Sequence, residues 1–349
     1  MAKARMSWLD LIKTVAIFMI ITLHNGTWRT DFMATGQVAS LLQFCARLFC
    51  EGVPIFMLIN GFLMLGKPFD LKKHVKRTVN VLVILLLWSV ILEVAFCLIK
   101  GQPITVDGLL GSLLETTISR PQTGVLWFLH KLFVVYLLLP IIKHLYDTRP
   151  RLYDYLLLVL MLSTFITPLL TVFADILDSA LLRSVIVFLN QYSLTVGTNV
   201  YVLYFMLGGY LYRHRDTLPR KTLIAVGAGA ALVSCALGII ASIATGATYA
   251  AGFNYSQGFL MFTLVGAFLL CSRLPLRGRF PCALLASTGD NTMGIYLLHK
   301  IYIWGIDALG IIPTTLLQRL GLSLVVFLLS WVTAVLIRKI PKASFLVKL

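Results

Sequence analysis

The sequence predicts an all-α, polytopic membrane helix bundle with about ten transmembrane helices and with both termini in the cytoplasm. Composition, the length of the apolar runs and the placement of positive charge each point to this class. Of the 349 residues, 59% are hydrophobic and 13% are charged, about half the charged share of a soluble domain. A water-soluble chain could not bury that much apolar surface, whereas a bilayer can accommodate it. We expect one membrane domain over residues 1–349 with no appended soluble domain.

Apolar runs that approach the length needed to cross a bilayer recur along the chain. The ten predicted spans are 8–26, 41–65, 78–99, 126–145, 152–173, 196–212, 222–244, 256–272, 290–309 and 316–338. The first run follows Lys3 and Arg5, as a signal peptide would. However, Asp10 and Lys13 interrupt it and no small-residue cleavage site follows, so we interpret it as a retained helix.

Positive charge alternates along the chain in step with the predicted spans. With the N-terminus inside, 21 of the 30 Lys and Arg residues fall in cytoplasmic segments and 5 fall in outside loops. This asymmetry is the positive-inside pattern. The net charge of +16 therefore reflects membrane sidedness and does not indicate nucleic-acid binding. The six cysteines lack metal-ligand spacing, so no metal site is predicted.

Ionisable side chains inside the predicted spans are few, and such residues usually face a cavity and mark function. They are Lys13, His24, Arg47, Glu51, Glu93, His130, Lys131, His299 and Lys300. Three of the histidines are possible general bases, and two carboxylates, Glu51 and Glu93, are possible orienting groups.

Lys13 and His24 are eleven residues apart, which is about three helical turns and a rise of ~16 Å. Both side chains therefore lie on one face of the first helix. One cavity could present a cation near the cytoplasm and an imidazole deeper in. In the alternative reading, Lys13 reaches the lipid headgroups and His24 caps the helix end.

The remaining polar residues also allow two readings. Arg47 and Glu51 are four residues apart and could simply neutralise each other. Trp127 alone fits an interfacial aromatic belt. Tyr296 lies one turn before His299 on the same helix face, and that histidine could equally be a satisfied bundle residue.

Several segments resemble motifs of one family of bacterial membrane enzymes. The run Trp8–Lys13, followed after ten residues by His24, is similar to the opening of the acyltransferase 3 family. Further motifs of that family resemble, in the same order, 53–63, 126–140, 204–210 and 293–299. The chain departs from the family pattern in four places: Lys13 for Arg, Asn60 for Ser, Lys300 for Pro, and Lys73-x-x-Lys76 for Arg-x-x-Arg.

The resemblance implies a multi-pass O-acetyltransferase of the bacterial plasma (inner) membrane, similar to the stand-alone enzymes that acetylate surface polysaccharides or enterobacterial common antigen. It implies acetyl-CoA, or another acyl-CoA, as the cytoplasmic donor substrate, and no permanently bound cofactor. The acceptor would be a glycan or a lipid-linked sugar. Membrane lipids would be the remaining partner. The alternative is an exporter or flippase that moves a polysaccharide precursor without acyl transfer.

Carried over residue by residue, the resemblance implies a site in three parts. His24 would be the catalytic base or a transient acyl carrier, and Lys13, on the same helix face toward the cytoplasm, is the second residue expected to be catalytic. The cations expected to hold CoA are Lys13, Lys73, Lys76 and Arg77. The side chains expected to orient the acceptor are Glu51, Trp127, His130, Tyr296 and His299.

Overall fold

The computed structural model describes residues 5–50, 52–114, 122–192, 199–217, 219–248, 258–276 and 278–348, and every regular element in those ranges is a helix. The α-helices are α1 (Ser7–His24), α2 (Phe32–Thr35), α3 (Val38–Phe49), α4 (Gly52–Leu65), α5 (Leu71–Lys100), α6 (Val106–Leu114), α7 (Trp127–Thr148), α8 (Pro150–Leu177), α9 (Ala180–Asn190), α10 (Asn199–His214), α11 (Arg220–Thr245), α12 (Gly258–Cys271), α13 (Arg279–Asp290), α14 (Thr292–Ala308) and α15 (Leu316–Lys339). Two 3-10 turns lie at Gly124–Leu126 and Ser344–Val347. The all-α prediction is confirmed.

Seven segments of the described chain are long and apolar enough to cross a membrane. They comprise α1, α3 together with α4, α5, α7 with its preceding 3-10 turn, α8, α11 and α15. Three further predicted spans coincide with shorter helices, α10, α12 and α14, of 16, 14 and 17 residues. A 14-residue helix rises ~21 Å, which is less than the ~30 Å of a bilayer core. The chain is multi-pass, while the count of ten and the cytoplasmic termini stay predictions.

The long helices carry large apolar side chains on their outer faces. Leu86 in α5, Leu158 in α8, Leu232 in α11 and Leu328 in α15 are all exposed. Contiguous apolar surface of this kind is unfavourable in water and is matched by lipid tails.

The chain forms two compact units. Unit 1 comprises Met1–Thr27, Phe69–Pro140 and Leu276–Leu349, and unit 2 comprises Trp28–Pro68 and Ile141–Pro275. Unit 1 therefore contains α1, α5, α6, most of α7, and α13 to α15. Nearly every candidate site residue lies in it.

In unit 1, α1 packs against α13, α14 and α15, and α14 also packs against α5. An ion-pair cluster fixes the start of α1: Arg5 Nε lies 2.6 Å from Asp10 Oδ2, and Arg5 Nη2 lies 2.9 Å from Asp290 Oδ1 at the end of α13. Hydrogen bonds to these two carboxylates hold the pKa of the Arg5 guanidinium above its ordinary value. Asp10 also faces Gly289, where a Cβ would overlap its carboxylate.

The 3-10 turn Ser344–Val347 reaches the core of unit 1 through Val347. Val347 is fully buried and approaches Gly294 of α14, where an added Cβ would lie 3.0 Å from the Val347 Cβ. The indole Nε1 of Trp88 in α5 donates a 2.8 Å hydrogen bond to the carbonyl of Leu346. This segment therefore ties α5 and α14 together.

In unit 2, backbones approach closely where glycines meet. A Cβ on Gly61 of α4 would overlap the carbonyl of Phe205 in α10, and one on Gly208 of α10 would overlap the carbonyl of Leu58. Small residues at a helix contact are typical of membrane proteins, because lipid tails provide no hydrophobic drive and close packing must hold the helices. The motif segments 53–63 and 204–210 are thus the two faces of one helix pair.

Candidate active site

Two imidazoles from separate helices of unit 1 meet directly. His24 is the last residue of α1, and His299 lies in the middle of α14. His24 Nδ1 lies 2.7 Å from His299 Nε2. The ring planes differ by only 12° and the centroids are 4.9 Å apart. Because the two nitrogens are closer than van der Waals contact, the rings meet edge to edge through a hydrogen bond rather than face to face.

The backbone decides which nitrogen carries each proton. His299 Nδ1 forms a hydrogen bond with the carbonyl oxygen of Tyr296, which can only accept. Nδ1 of His299 is therefore protonated, and in the neutral ring Nε2 is an acceptor. His24 must then donate through Nδ1–H, which leaves the lone pair of His24 Nε2 available as a base. The three groups form a relay that we call the histidine relay: the Tyr296 carbonyl, His299 and His24.

Burial differs between the two rings of the histidine relay. His299 is fully buried, whereas His24 is only half-buried. Of the two rings, His24 is therefore the more accessible. When His24 Nε2 takes a proton, the resulting imidazolium still donates to His299 Nε2, and such charge-assisted hydrogen bonds are the stronger ones.

The residues after His24 anchor the end of α1 on α15. The Asn25 amide donates a 3.0 Å hydrogen bond to Ser323 Oγ, and the hydroxyl of Thr27 lies 2.9 Å from the same oxygen. Ser323 and Thr27 are both fully buried. These contacts hold the half-buried ring of His24 in position, as a catalytic base requires.

Tyr296 supports the histidine relay from α14 through its side chain as well as its carbonyl. Its buried hydroxyl donates to the carbonyl of Val125 in the 3-10 turn before α7. Its ring packs edge to face against Phe128, with centroids 5.6 Å apart. Tyr296 is thus a positioning residue in this geometry, while its predicted contact with the acceptor stays a prediction.

The cations predicted to hold CoA lie on two helices of unit 1. Lys73, Lys76 and Arg77 are exposed in the first two turns of α5. Lys73 Nζ pairs with the helix-capping carboxylate of Asp70 at 2.9 Å, and the Lys73 amide and ammonium hold the pKa of Asp70 below its ordinary value. Lys13 is half-buried, with its Nζ 3.8 Å from Asp10. Exposed cations at a helix N-terminus favour anion binding.

The remaining predicted site residues are Trp127, His130 and Glu51. Trp127 begins α7 and lies edge to face with Phe128, and His130 follows one turn later, half-buried. Glu51 lies outside the described residues, and so does the predicted Arg47–Glu51 pair. The structure does not test the roles predicted for these residues, which stay predictions.

A family model described as an acyltransferase domain matches residues 6–335. The chain belongs to the acyltransferase 3 family. No curated protein and no solved structure matches it. Together with the long apolar helices, the family match makes this protein a multi-pass membrane acyltransferase. The match contains His24 and His299, and it ends within α15, before the turn Ser344–Val347.

Sequence reasoning selected both histidines but not their direct bond. His24 lies in the outer half of its predicted span and His299 near the middle of its own, so depth in the membrane did not indicate that they would pair. Sequence reasoning also did not predict that His299 would bond to the backbone carbonyl of Tyr296, because a carbonyl carries no sequence signature.

Proposed function

We propose that this protein transfers an acetyl group from cytoplasmic acetyl-CoA to a hydroxyl of a surface polysaccharide or lipid-linked sugar in the bacterial plasma membrane, with His24 as general base. One observation carries the proposal: the 2.7 Å bond between His24 and His299, with the His299 tautomer fixed by the Tyr296 carbonyl. General-base catalysis needs an unprotonated nitrogen held within reach of the acceptor hydroxyl. His24 Nε2 meets the first condition, and the half-buried ring is accessible for the second.

The chemical step balances with these groups. The acceptor oxygen bonds to the thioester carbonyl carbon while its proton moves to His24 Nε2. The carbon–sulfur bond then breaks, and the same proton passes to the departing thiolate, so that CoA leaves as the free thiol. His299 stabilises the transient His24 imidazolium by accepting from its Nδ1–H.

The donor is proposed from the charge of unit 1. CoA carries several phosphate charges, and the exposed Lys73, Lys76 and Arg77 at the start of α5 provide attraction for them. Lys13 lies on the same helix as His24 and supplies a cation nearer the base. Lysine keeps the charge of the family's arginine but not its planar fork, so its contact with a phosphate would be through a single point charge.

The test measures base-labile acyl groups on cell-surface glycans in three strains: wild type, a deletion, and His24→Ala. We expect the ester to be absent from the deletion and from His24→Ala, with normal membrane levels of the variant protein. Full acylation by a stably inserted His24→Ala variant would remove the catalytic role of His24. Unchanged acylation with less surface glycan in the deletion would instead favour the exporter.

A further inference from the structure

Glu93 and Thr123 are among the buried polar side chains of unit 1 that have no hydrogen-bond partner within the described residues. Glu93 of α5 is 5% exposed, and its Oε2 has no hydrogen-bond partner within the described residues. Thr123, just before the 3-10 turn Gly124–Leu126, is 0% exposed, and its hydroxyl also has no hydrogen-bond partner within the described residues. Buried polar atoms are almost always paired with protein or water, so such a group needs an explanation.

The surroundings of Glu93 bring backbone close to the carboxylate. Gly108 of α6 faces it, and a Cβ at that position would lie 3.2 Å from Glu93 Oε1. The Thr105 hydroxyl caps α6 by accepting a 3.0 Å hydrogen bond from the Gly108 backbone N–H. A larger residue at 108 would crowd the carboxylate.

Both groups are connected to the histidine relay through elements in contact. Helix α5 contacts α6, α14 and the 3-10 turn. The Thr123 carbonyl accepts the 2.8 Å hydrogen bond that closes this turn, and within the turn Val125 accepts from the Tyr296 hydroxyl. A ligand bound at Thr123 would thus rest on the turn that anchors Tyr296, whose carbonyl fixes the tautomer of His299.

The hydrogen-bonding chemistry of these buried atoms determines which functional groups a ligand must carry. The carboxylate oxygen of Glu93 is an acceptor, and so is the buried amide oxygen of Gln122, which also lacks a partner among the described residues. The Thr123 hydroxyl can both accept and donate. These atoms need a ligand rich in O–H donors. The phosphates of CoA offer acceptors and negative charge, which the carboxylate would repel.

We infer that Glu93 and Thr123 bind hydroxyl groups of a sugar acceptor, forming a subsite of unit 1 that selects the acceptor and not the acyl-CoA donor. The inference rests on the proposed function, because it assumes that a hydroxyl-bearing acceptor reaches the histidine relay. It assigns the acceptor chemistry to a carboxylate and a hydroxyl that take no part in the acyl-transfer step itself.

The experiment uses the full-length protein in membrane vesicles, with radiolabelled acetyl-CoA and a panel of methyl hexosides and methyl N-acetylhexosaminides as acceptor probes. The variants are Glu93→Gln and Thr123→Val, both close to isosteric. The matched control is Asp107→Asn, the same carboxylate-to-amide change at an exposed position of the neighbouring helix α6. Michaelis constants are measured separately for acetyl-CoA and for the best acceptor.

We expect Glu93→Gln to raise the acceptor KM about tenfold or more, the size of losing a hydrogen bond to a charged group. Thr123→Val should raise it less, and the KM for acetyl-CoA should change less than about twofold. Asp107→Asn should resemble the wild type. An unchanged acceptor KM in both variants, or an equal rise in the two KM values, would overturn the subsite.

The same experiment distinguishes failure of the acceptor subsite from failure of the proposed acyl transfer. A wild-type protein that transfers label to none of the acceptors and releases no CoA would remove the proposed function, and the subsite with it. A wild type that transfers label while both variants match it would remove the subsite alone. If Glu93→Gln does not insert stably, Thr123→Val decides between these outcomes.

Discussion

Replacement of His299 tests the histidine relay more sharply than replacement of the base itself. His299→Leu removes the acceptor of the 2.7 Å bond from His24 Nδ1 without touching the nitrogen that would react. In the wild type, this bond becomes charge-assisted when His24 is protonated. A hydrogen bond to a charged group is worth about 1.5–3 kcal/mol, which corresponds to a rate loss of about 10- to 150-fold.

His299→Gln separates hydrogen bonding from proton sharing. A glutamine amide oxygen can take the place of Nε2 as an acceptor, but it cannot accept a proton at neutral pH. We therefore expect this variant to lose about tenfold or less in rate. His144→Leu, the same change at an exposed histidine of α7, should retain the wild-type rate.

The assay is the initial rate of label transfer from acetyl-CoA in membrane vesicles, corrected for protein level. Removing His24 should cost about 10²- to 10⁴-fold, the range for a general base. Since His299 acts through His24, the double variant His24→Ala/His299→Leu should be no slower than His24→Ala alone. Multiplicative losses in the double variant, or a wild-type rate in His299→Leu, would refute the histidine relay.

Three further predictions concern packing and donor binding. Gly208→Ala should lower the melting temperature in detergent or abolish insertion, because the new Cβ overlaps a carbonyl of α4, whereas Gly229→Ala, with open space around it, should not. Val347→Asp buries a charge in the core of unit 1 and should lower the melting temperature strongly. Phe345→Asp, the same type of change at an exposed position, should lower it less. Thermal unfolding of both variants measures the difference. Lys76→Gln should raise the KM for acetyl-CoA a few-fold at low salt and by less at ~0.5 M salt, where surface charges are screened; a shift that is independent of salt would contradict an electrostatic role.

The architecture was predictable because it depends on average properties of the chain. Apolar runs had to become helices, since a bilayer leaves backbone polar groups no other partner. All ten predicted runs overlap described helices, although α10, α12 and α14 are shorter than a full span. The turn Ser344–Val347 carries no such pattern, because the burial of Val347 depends on the contacts of a single residue.

The candidate site was predictable only as a set of residue types. The spacing of Lys13 and His24 placed both on one helix, and the motif segments identified α14 as a second contributor. Pairing of His24 with His299 depends on how two helices pack, and the tautomer depends on a backbone carbonyl. The Glu93 oxygen that has no partner within the described residues is likewise invisible in sequence, because the partners of a buried atom depend on how the helices pack.

The most direct test of His24 as the catalytic base is acyl transfer by purified protein reconstituted in lipid. The acetyl-CoA is labelled in the acetyl group, and release of the CoA thiol is followed in parallel. We expect the wild type to release one CoA for each acetyl ester formed on a glycan acceptor. His24→Ala, folded and inserted to the same extent, should lose both signals together by at least about 10²-fold. Ester formation by His24→Ala at the wild-type rate would contradict the assignment of His24 as the base.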